Sequence, residues 1–137
     1  MNHLSAVSTF ASVPNGPLGD NARRRATALE RIVKARRRRQ QFFPTHLFCD
    51  PAWDMLLKLA QAELDQQRVT VSELCIAAGT PYTTALRYIQ AMVDEGLVSR
   101  LDDPLDGRRK FLSLSTEASI QMSAYLDVPT LSDARAA

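Results

Sequence analysis

The sequence predicts a mainly α-helical domain with one small β-hairpin, preceded by a long basic helix. Three observations lead to this fold class. Residues 70–96 contain two helical segments separated by a glycine-containing turn, which is the pattern of a helix-turn-helix. Residues 97–114 then alternate around a turn-rich centre, which predicts a hairpin. Residues 21–41 are arginine-rich and have helical spacing. We therefore predict a winged helix-turn-helix domain, residues 42–128, in which the hairpin is the wing.

The composition is that of one globular domain with an extension: 137 residues, of which 45% are hydrophobic and 23% charged. No apolar run has the length of a bilayer span, and the N-terminus lacks the apolar core of a signal peptide. Two cysteines, Cys49 and Cys75, are too few for a disulfide framework and suit a reducing compartment. We therefore expect a cytoplasmic protein.

The charge of the chain is unevenly distributed. Residues 1–41 hold nine basic and two acidic residues, a net charge of +7. Residues 42–137 hold eight basic and 13 acidic residues, a net charge of −5. The sequence is therefore an acidic domain that carries a strongly basic arm.

The arm divides into a tail and a helix. Residues 1–20 mix Ser, Pro, Asn and Gly without a period, and we predict a disordered tail. In residues 21–41 four apolar residues recur with the spacing of one helix face. They are Ala22, Ala26, Leu29 and Val33. This face either packs on its own chain or pairs with a second chain in a homodimer.

Four consecutive arginines occupy the end of this helix. They are Arg36, Arg37, Arg38 and Arg39. Three interpretations are open: a solvated helix face, a phosphate-binding arm, or a contact for an acidic partner protein. We favour phosphate because a candidate DNA-reading helix follows on the same chain.

A scaffold helix is predicted after the connecting segment FFPTHLFC. Asp50 is placed to cap this helix, and Pro51 suits its first turn. Five apolar residues at helical spacing predict one continuous core face. They are Trp53, Leu56, Leu57, Ala60 and Leu64. Residues 69–71 then predict a short strand that pairs with the wing.

The helix-turn-helix has recognisable end signals. Thr70 and Glu73 predict a capping box at the start of its first helix, and Gly79 predicts the end of that helix. Thr80 is placed to cap the second helix, residues 82–95, before Gly96 ends it.

The second helix is the predicted reading helix. When Ala85 is taken as the core direction, Ile89 and Met92 fall beside it and Arg87 falls on the opposite face. The N-terminal part of such a helix enters the major groove, where Arg pairs with guanine and Gln with adenine. The predicted contact residues are Tyr82, Thr83, Thr84, Arg87 and Gln90.

The wing supplies a second set of cations. Arg108, Arg109 and Lys110 follow the turn sequence DDPLDG, and arginine at a loop tip can enter the minor groove, so residues 102–111 are predicted to bind there. The alternative is three solvated charges on an exposed hairpin. A last short helix then closes the domain, and residues 129–137 are predicted to form a disordered tail.

The segment EGLVSRLDDPLDGRRKFLSLSTEA resembles the wing of the MarR family of bacterial transcription regulators. The matching residues are Gly96, Leu97, Val98, Asp103, Pro104, Asp106, Arg108 and the run from Leu114 to Glu117. The resemblance spans residues 69–118 and implies a DNA-binding regulator. It also implies that Asp106 orients Arg108 through an ion pair.

The sequence holds little material for catalysis or metal binding. His3 and His46 are its only histidines, and no glycine-rich phosphate loop is present. His46, Cys49 and Cys75 would give three metal ligands at most. We therefore predict no enzyme, no cofactor, no metal and no membrane contact. We also expect no small-molecule ligand, because the resemblance places such a pocket beside C-terminal helices that this sequence largely lacks.

Two function classes remain open. The first is a sequence-specific double-stranded DNA-binding transcription regulator, cytoplasmic and nucleoid-associated. As a homodimer it would read the major groove with residues 82–95 and the minor groove with residues 102–111. The second is a winged-helix protein-interaction or assembly module whose basic arm binds an acidic partner. Only the first predicts a steep salt dependence together with a base preference.

Overall fold

The computed structural model describes residues 17–129, and it confirms the predicted fold class. This part of the chain forms five helices and a three-stranded antiparallel sheet. The helices are α1 (Pro17–Phe42), α2 (Pro51–Leu64), α3 (Val71–Ala78), α4 (Tyr82–Asp94) and α5 (Thr116–Asp127). The strands are β1 (Val69–Thr70), β2 (Val98–Asp102) and β3 (Lys110–Leu114). None of the described helices is long and apolar enough to span a bilayer.

Helix α1 begins earlier than predicted. Its first residue is Pro17, so residues 17–20 belong to a helix and not to the predicted tail. Proline suits this position because the first N–H groups of a helix have no partner within the helix. Asp20 lies in the first turn, where its negative charge suits the helix dipole. The remainder of the predicted tail, residues 1–16, and residues 130–137 lie outside the described residues.

The apolar face of α1 packs partly on its own chain. Leu29 is only 2% exposed and belongs to the domain core, and Val33 is partly buried against that core. Ala22 and Ala26 remain exposed. Of the two interpretations for this face, packing in cis therefore accounts for its second half, whereas its first half stays available to a second chain.

Within residues 17–129, two ion pairs fix α1 to the rest of the domain. Arg25 donates hydrogen bonds of 2.9 and 2.8 Å to the Asp127 carboxylate of α5. Arg36 donates one of 2.5 Å to Asp54 of α2, and both of these side chains are largely buried. The Arg25 guanidinium lowers the pKa of Asp127. The Arg25–Asp127 pair therefore stabilises the fold at pH values above the ordinary pKa of aspartate. This stabilisation is lost as the pH falls through the lowered pKa of Asp127.

Helix α2 is the central helix of the core. It begins after Asp50 as predicted, but the Asp50 side chain makes no capping hydrogen bond to any residue the structure describes. Two residues of the predicted core face are fully buried and three are partly buried. Met55, Leu59 and Ala62, which that face did not include, are buried as well. The buried surface is wider than predicted because α1, α3 and β3 all pack around this helix.

The helix-turn-helix is formed by α3 and α4. The predicted capping box is present, since the Glu73 amide donates to Thr70 Oγ1 at 3.2 Å and the Thr70 amide donates to Glu73 Oε2 at 3.3 Å. Gly79 ends α3 with a left-handed φ of +66°. The predicted Thr80 cap is wrong: Pro81, with a non-helical ψ of 148°, is the N-cap of α4, so Thr80 lies one residue before the capping position.

The sheet has the strand order β1-β3-β2, so the predicted short first strand does pair with the wing. Val69 pairs with Leu112, and Val98 of β2 pairs with Leu114. All four side chains are buried. The base of the hairpin is thus rooted in the core, and its loop, residues 103–109, projects from the domain. We refer to this loop as the wing loop.

Candidate nucleic-acid interface

Helix α4 exposes the face that the sequence predicted to read DNA. Tyr82, Thr83 and Arg87 are exposed, and Thr84 is half-buried. The first turn contains no acidic residue, so the positive end of the helix dipole is not neutralised within it. The buried residues of this helix are Ala85, Ile89 and Met92.

Gln90 is held between two charged side chains. Its Nε2 donates to Asp94 Oδ1 at 2.9 Å, and its Oε1 accepts from an Arg100 guanidinium nitrogen at 2.9 Å. The hydrogen bond from Arg100 joins α4 to the wing. Arg100 is exposed and adds a cation beside the reading face that the sequence analysis did not include. The only sequence signal for it was a basic residue within the strand that follows the reading helix.

The wing loop is stiffened by internal hydrogen bonds. Asp103 is only 8% exposed, and its Oδ1 accepts the Leu105 amide at 2.8 Å. The Asp103 amide donates to the Arg109 carbonyl at 3.0 Å, which closes the neck of the loop. The Asp106 carbonyl accepts the Arg109 amide at 2.9 Å. The loop therefore has a defined shape that its own hydrogen bonds maintain.

The structure corrects the role that the resemblance gave to Asp106. Its carboxylate accepts the backbone amide of Arg108 at 3.1 Å, and within the described residues no ion pair joins their side chains. Asp106 therefore stabilises the turn through the backbone. The Arg108 guanidinium stays exposed to solvent.

The predicted wing cations differ in their surroundings. Lys110 is paired with Asp102 across the hairpin. Arg109 is exposed, and its guanidinium carbon lies 5.8 Å from the centre of the Phe111 ring. Arg68, from the segment between α2 and β1, lies 5.2 Å from the same ring. Arg68 is thus a further basic residue beside the wing that the sequence analysis did not include, since only the sheet register brings it there.

The four consecutive arginines of α1 are not equivalent. Arg36 is bound to Asp54, and Arg39 donates to the Phe48 carbonyl at 2.8 Å. These two side chains fasten α1 to α2 and to the segment that connects them. Arg37 and Arg38 are exposed. Half of the predicted phosphate-binding set is therefore engaged within the chain.

The two cysteines lie in different environments. Cys49 is exposed, whereas Cys75 is 6% exposed and burial raises the pKa of its thiol. Among residues 17–129 no group of three His, Cys, Asp or Glu side chains is placed to hold a metal ion.

We therefore expect one thiol per chain to react with a thiol-specific disulfide reagent at pH 8 in the native protein, and two in denaturant. The reactive species is the thiolate, which Cys75 forms least because its pKa is raised and its sulfur is covered. A Cys49→Ser variant should give no native reaction. Rapid reaction of this variant would show that α3 opens and exposes Cys75.

Comparison with solved structures shows the same fold in two structures of one MarR-family winged-helix regulator, MepR. Staphylococcus aureus MepR in its DNA-binding conformation is 19% identical, with 72% of each chain covered and a TM-score of 0.51. A MepR mutant from a multidrug-resistant S. aureus clinical isolate is 17% identical, with a TM-score of 0.50. There the match covers 63% of this chain and spans only 60% of the length of the relative. No protein-family model matches the sequence, and no curated protein is significantly similar to it.

At these identities the similarity establishes a shared fold. The resemblance to the MarR family in residues 69–118 is confirmed for the fold, because the helix-turn-helix, the short first strand and the wing all occur in the predicted order. The chain therefore has the winged-helix fold of MarR-type regulators.

Proposed function

We propose that the chain is a sequence-specific double-stranded DNA-binding transcription regulator without catalytic activity. The observation that carries this proposal is the shared cationic surface of α4 and the wing. Exposed Arg87 lies on the same helix as Gln90, and Gln90 is hydrogen-bonded to Arg100 of the wing. Each of the three wing carboxylates, in residues 102–106, is already bound to a cation or an amide. Their negative charge is thereby partly offset beside the DNA.

Each exposed side chain has a role that its chemistry supports. Arg87 would take a guanine edge with two hydrogen bonds, and Thr83 a phosphate or a thymine methyl group. Tyr82 would donate to a phosphate. Arg108 and Arg109 would enter the minor groove from the wing loop. Gln90 and Thr84 complete the proposed reading surface, and Lys110 supports the wing through its pair with Asp102.

The arm would contribute phosphate contacts through Arg37 and Arg38 only. Both are exposed, and an arginine that neutralises a phosphate releases counterions without reading the base sequence. Arg36 and Arg39 would act indirectly, because their bonds to Asp54 and to the Phe48 carbonyl hold the helix in place.

We further propose a cytoplasmic, nucleoid-associated homodimer. One short reading helix gives too little specificity alone, and a twofold axis would present two such helices to adjacent half-sites. The exposed first half of α1, at Ala22 and Ala26, would supply this contact. The Arg25–Asp127 pair joins it to α5, so both helices would contribute to one interface. Control would come from protein abundance or a partner and not from a small molecule.

Selection of binding sites from a random duplex pool tests the proposal. The intact chain should enrich an inverted repeat, and affinity for it should fall steeply with salt. The Arg37→Gln/Arg38→Gln variant should enrich the same motif, with a logarithmic salt slope shallower by about 0.9 for each phosphate that is no longer neutralised. Point substitutions are preferable to removal of α1, because Leu29 and Arg36 are part of the folded domain. If no sequence is enriched, the proposed reader is wrong.

A second candidate function is a protein-interaction module that binds an acidic partner. It is favoured by an apolar patch beside the exposed arginines, formed by Phe42, Phe43, Leu47 and Phe48. All four side chains are exposed, and the rings of Phe43 and Phe48 lie 5.8 Å apart. Clustered apolar side chains on a surface are typical of contact sites. This function predicts a shallow salt dependence on DNA and no enriched motif in the same selection.

A further inference from the structure

The apex of the wing loop presents an apolar side chain and not a charged one. Leu105 is 94% exposed, more than any other large hydrophobic residue in the described part of the chain. It follows Pro104, which is also exposed. Single exposed leucines are common on protein surfaces. What distinguishes Leu105 is that its position is fixed and that cations flank it.

The position is fixed by the hydrogen bonds of the loop. The buried Asp103 carboxylate accepts the Leu105 amide directly, at 2.8 Å. Pro104, between these two residues, has a restricted φ. The Asp103 amide closes the loop neck against the Arg109 carbonyl at 3.0 Å. A side chain on so constrained a loop loses little conformational freedom when it is inserted into a partner.

Two cations follow Leu105 closely along the chain. Arg108 and Arg109, three and four residues after it on the returning side of the loop, are both exposed. The nearby carboxylate of Asp106 accepts a hydrogen bond from the Arg108 backbone amide. A narrow minor groove attracts arginine because its potential is strongly negative. Arginines that enter this groove would carry Leu105 toward the edges of the base pairs.

We propose that Leu105 acts as an apolar wedge that partly unstacks one base step in the minor groove. Leucine is among the side chains that minor-groove proteins insert in this way, and insertion kinks the duplex. Pyrimidine–purine steps such as TpA unstack most readily. The inference rests on the proposed function and adds a property of its target: the operator carries a TpA or CpA step beneath each wing, at a fixed distance from the half-site that α4 reads.

The test uses the intact chain and its selected duplex, with 2-aminopurine in place of the adenine at the TpA step beneath the wing. Binding of the unchanged protein should raise 2-aminopurine fluorescence several-fold, because an unstacked base is less quenched. Leu105→Ala should abolish the rise and weaken binding about tenfold, since an alanine methyl is too small to wedge. Leu105→Met should retain both. Because the Leu105 side chain is almost fully exposed, neither substitution should alter folding.

Leu101→Ala is the matched control. Leu101 is also an exposed leucine of the wing, 59% exposed, but it lies within β2 opposite Phe111 and away from the apex. Its alanine variant should keep the fluorescence rise and the TpA preference. The wedge is overturned if Leu105→Ala keeps both the fluorescence rise and the TpA preference. It is also overturned if 2-aminopurine fluorescence does not rise when the unchanged protein binds its duplex. In either case the DNA-reading function stands. If the unchanged protein enriches no duplex, the function and the wedge both fail.

Discussion

Replacing Arg87 by alanine is expected to remove most of the base preference of the protein and to weaken operator binding by about 5-fold to 150-fold. Arg87 is exposed and is the only Lys or Arg among the residues of α4. A bidentate arginine–guanine pair contributes about 1–3 kcal/mol of discrimination against other bases. Titration of the selected operator, and of the same duplex with each guanine of one half-site changed in turn, measures both effects.

An Arg87→Lys variant separates charge from geometry. Lysine keeps the positive charge but lacks the planar fork of donors that fits a guanine edge. We expect this variant to keep the salt slope of the unchanged protein while its preference for guanine falls. Arg87→Ala should lose about 0.9 of the slope only if the guanidinium also neutralises a phosphate. If Arg87→Ala weakens all sequences equally, Arg87 binds the backbone and another residue reads the bases.

The features of the fold that the sequence predicted correctly are those set by local chemistry. Thr70 with Glu73, and Gly79 in its left-handed conformation, mark the ends of α3 through interactions within a few residues. The wing follows from alternation and turn residues in the same way. The prediction of a Thr80 cap was wrong, although it too concerned neighbouring residues, because Pro81 takes the N-cap position itself. The early start of α1 at Pro17 was hidden by a composition that otherwise resembles a loop.

The site was predicted less completely because its chemistry depends on contacts between distant segments. The bond between Arg36 and Asp54 joins residues 18 positions apart, and no local pattern separated Arg36 from the exposed Arg37. The bond from Arg100 to Gln90 likewise needs the wing to be folded against α4. A sequence can thus show which side chains are cationic, whereas the fold decides which of them are still available to bind DNA.

Replacing Leu29 by alanine is expected to lower the free energy of unfolding by about 2–5 kcal/mol. Leu29 is 2% exposed in the core of its own chain, and truncation would leave a cavity between α1 and the rest of the domain. Because the contact is within one chain, the loss should be the same at low and high protein concentration. Urea unfolding followed by circular dichroism, at concentrations a hundredfold apart, measures it.

An Ala26→Glu variant provides the contrasting case on the same helix. Ala26 is exposed one turn before Leu29, so the folded chain should lose less than about 0.5 kcal/mol. If α1 also forms the proposed homodimer, the unfolding midpoint of the unchanged protein rises with protein concentration. Ala26→Glu should remove that rise, because it would bury a charge in the dimer contact. Leu29→Ala should leave the rise intact. The opposite pattern, with the concentration dependence lost in Leu29→Ala alone, would mean that Leu29 contacts a second chain. The second half of α1, and not its exposed first half, would then form the contact with the second chain.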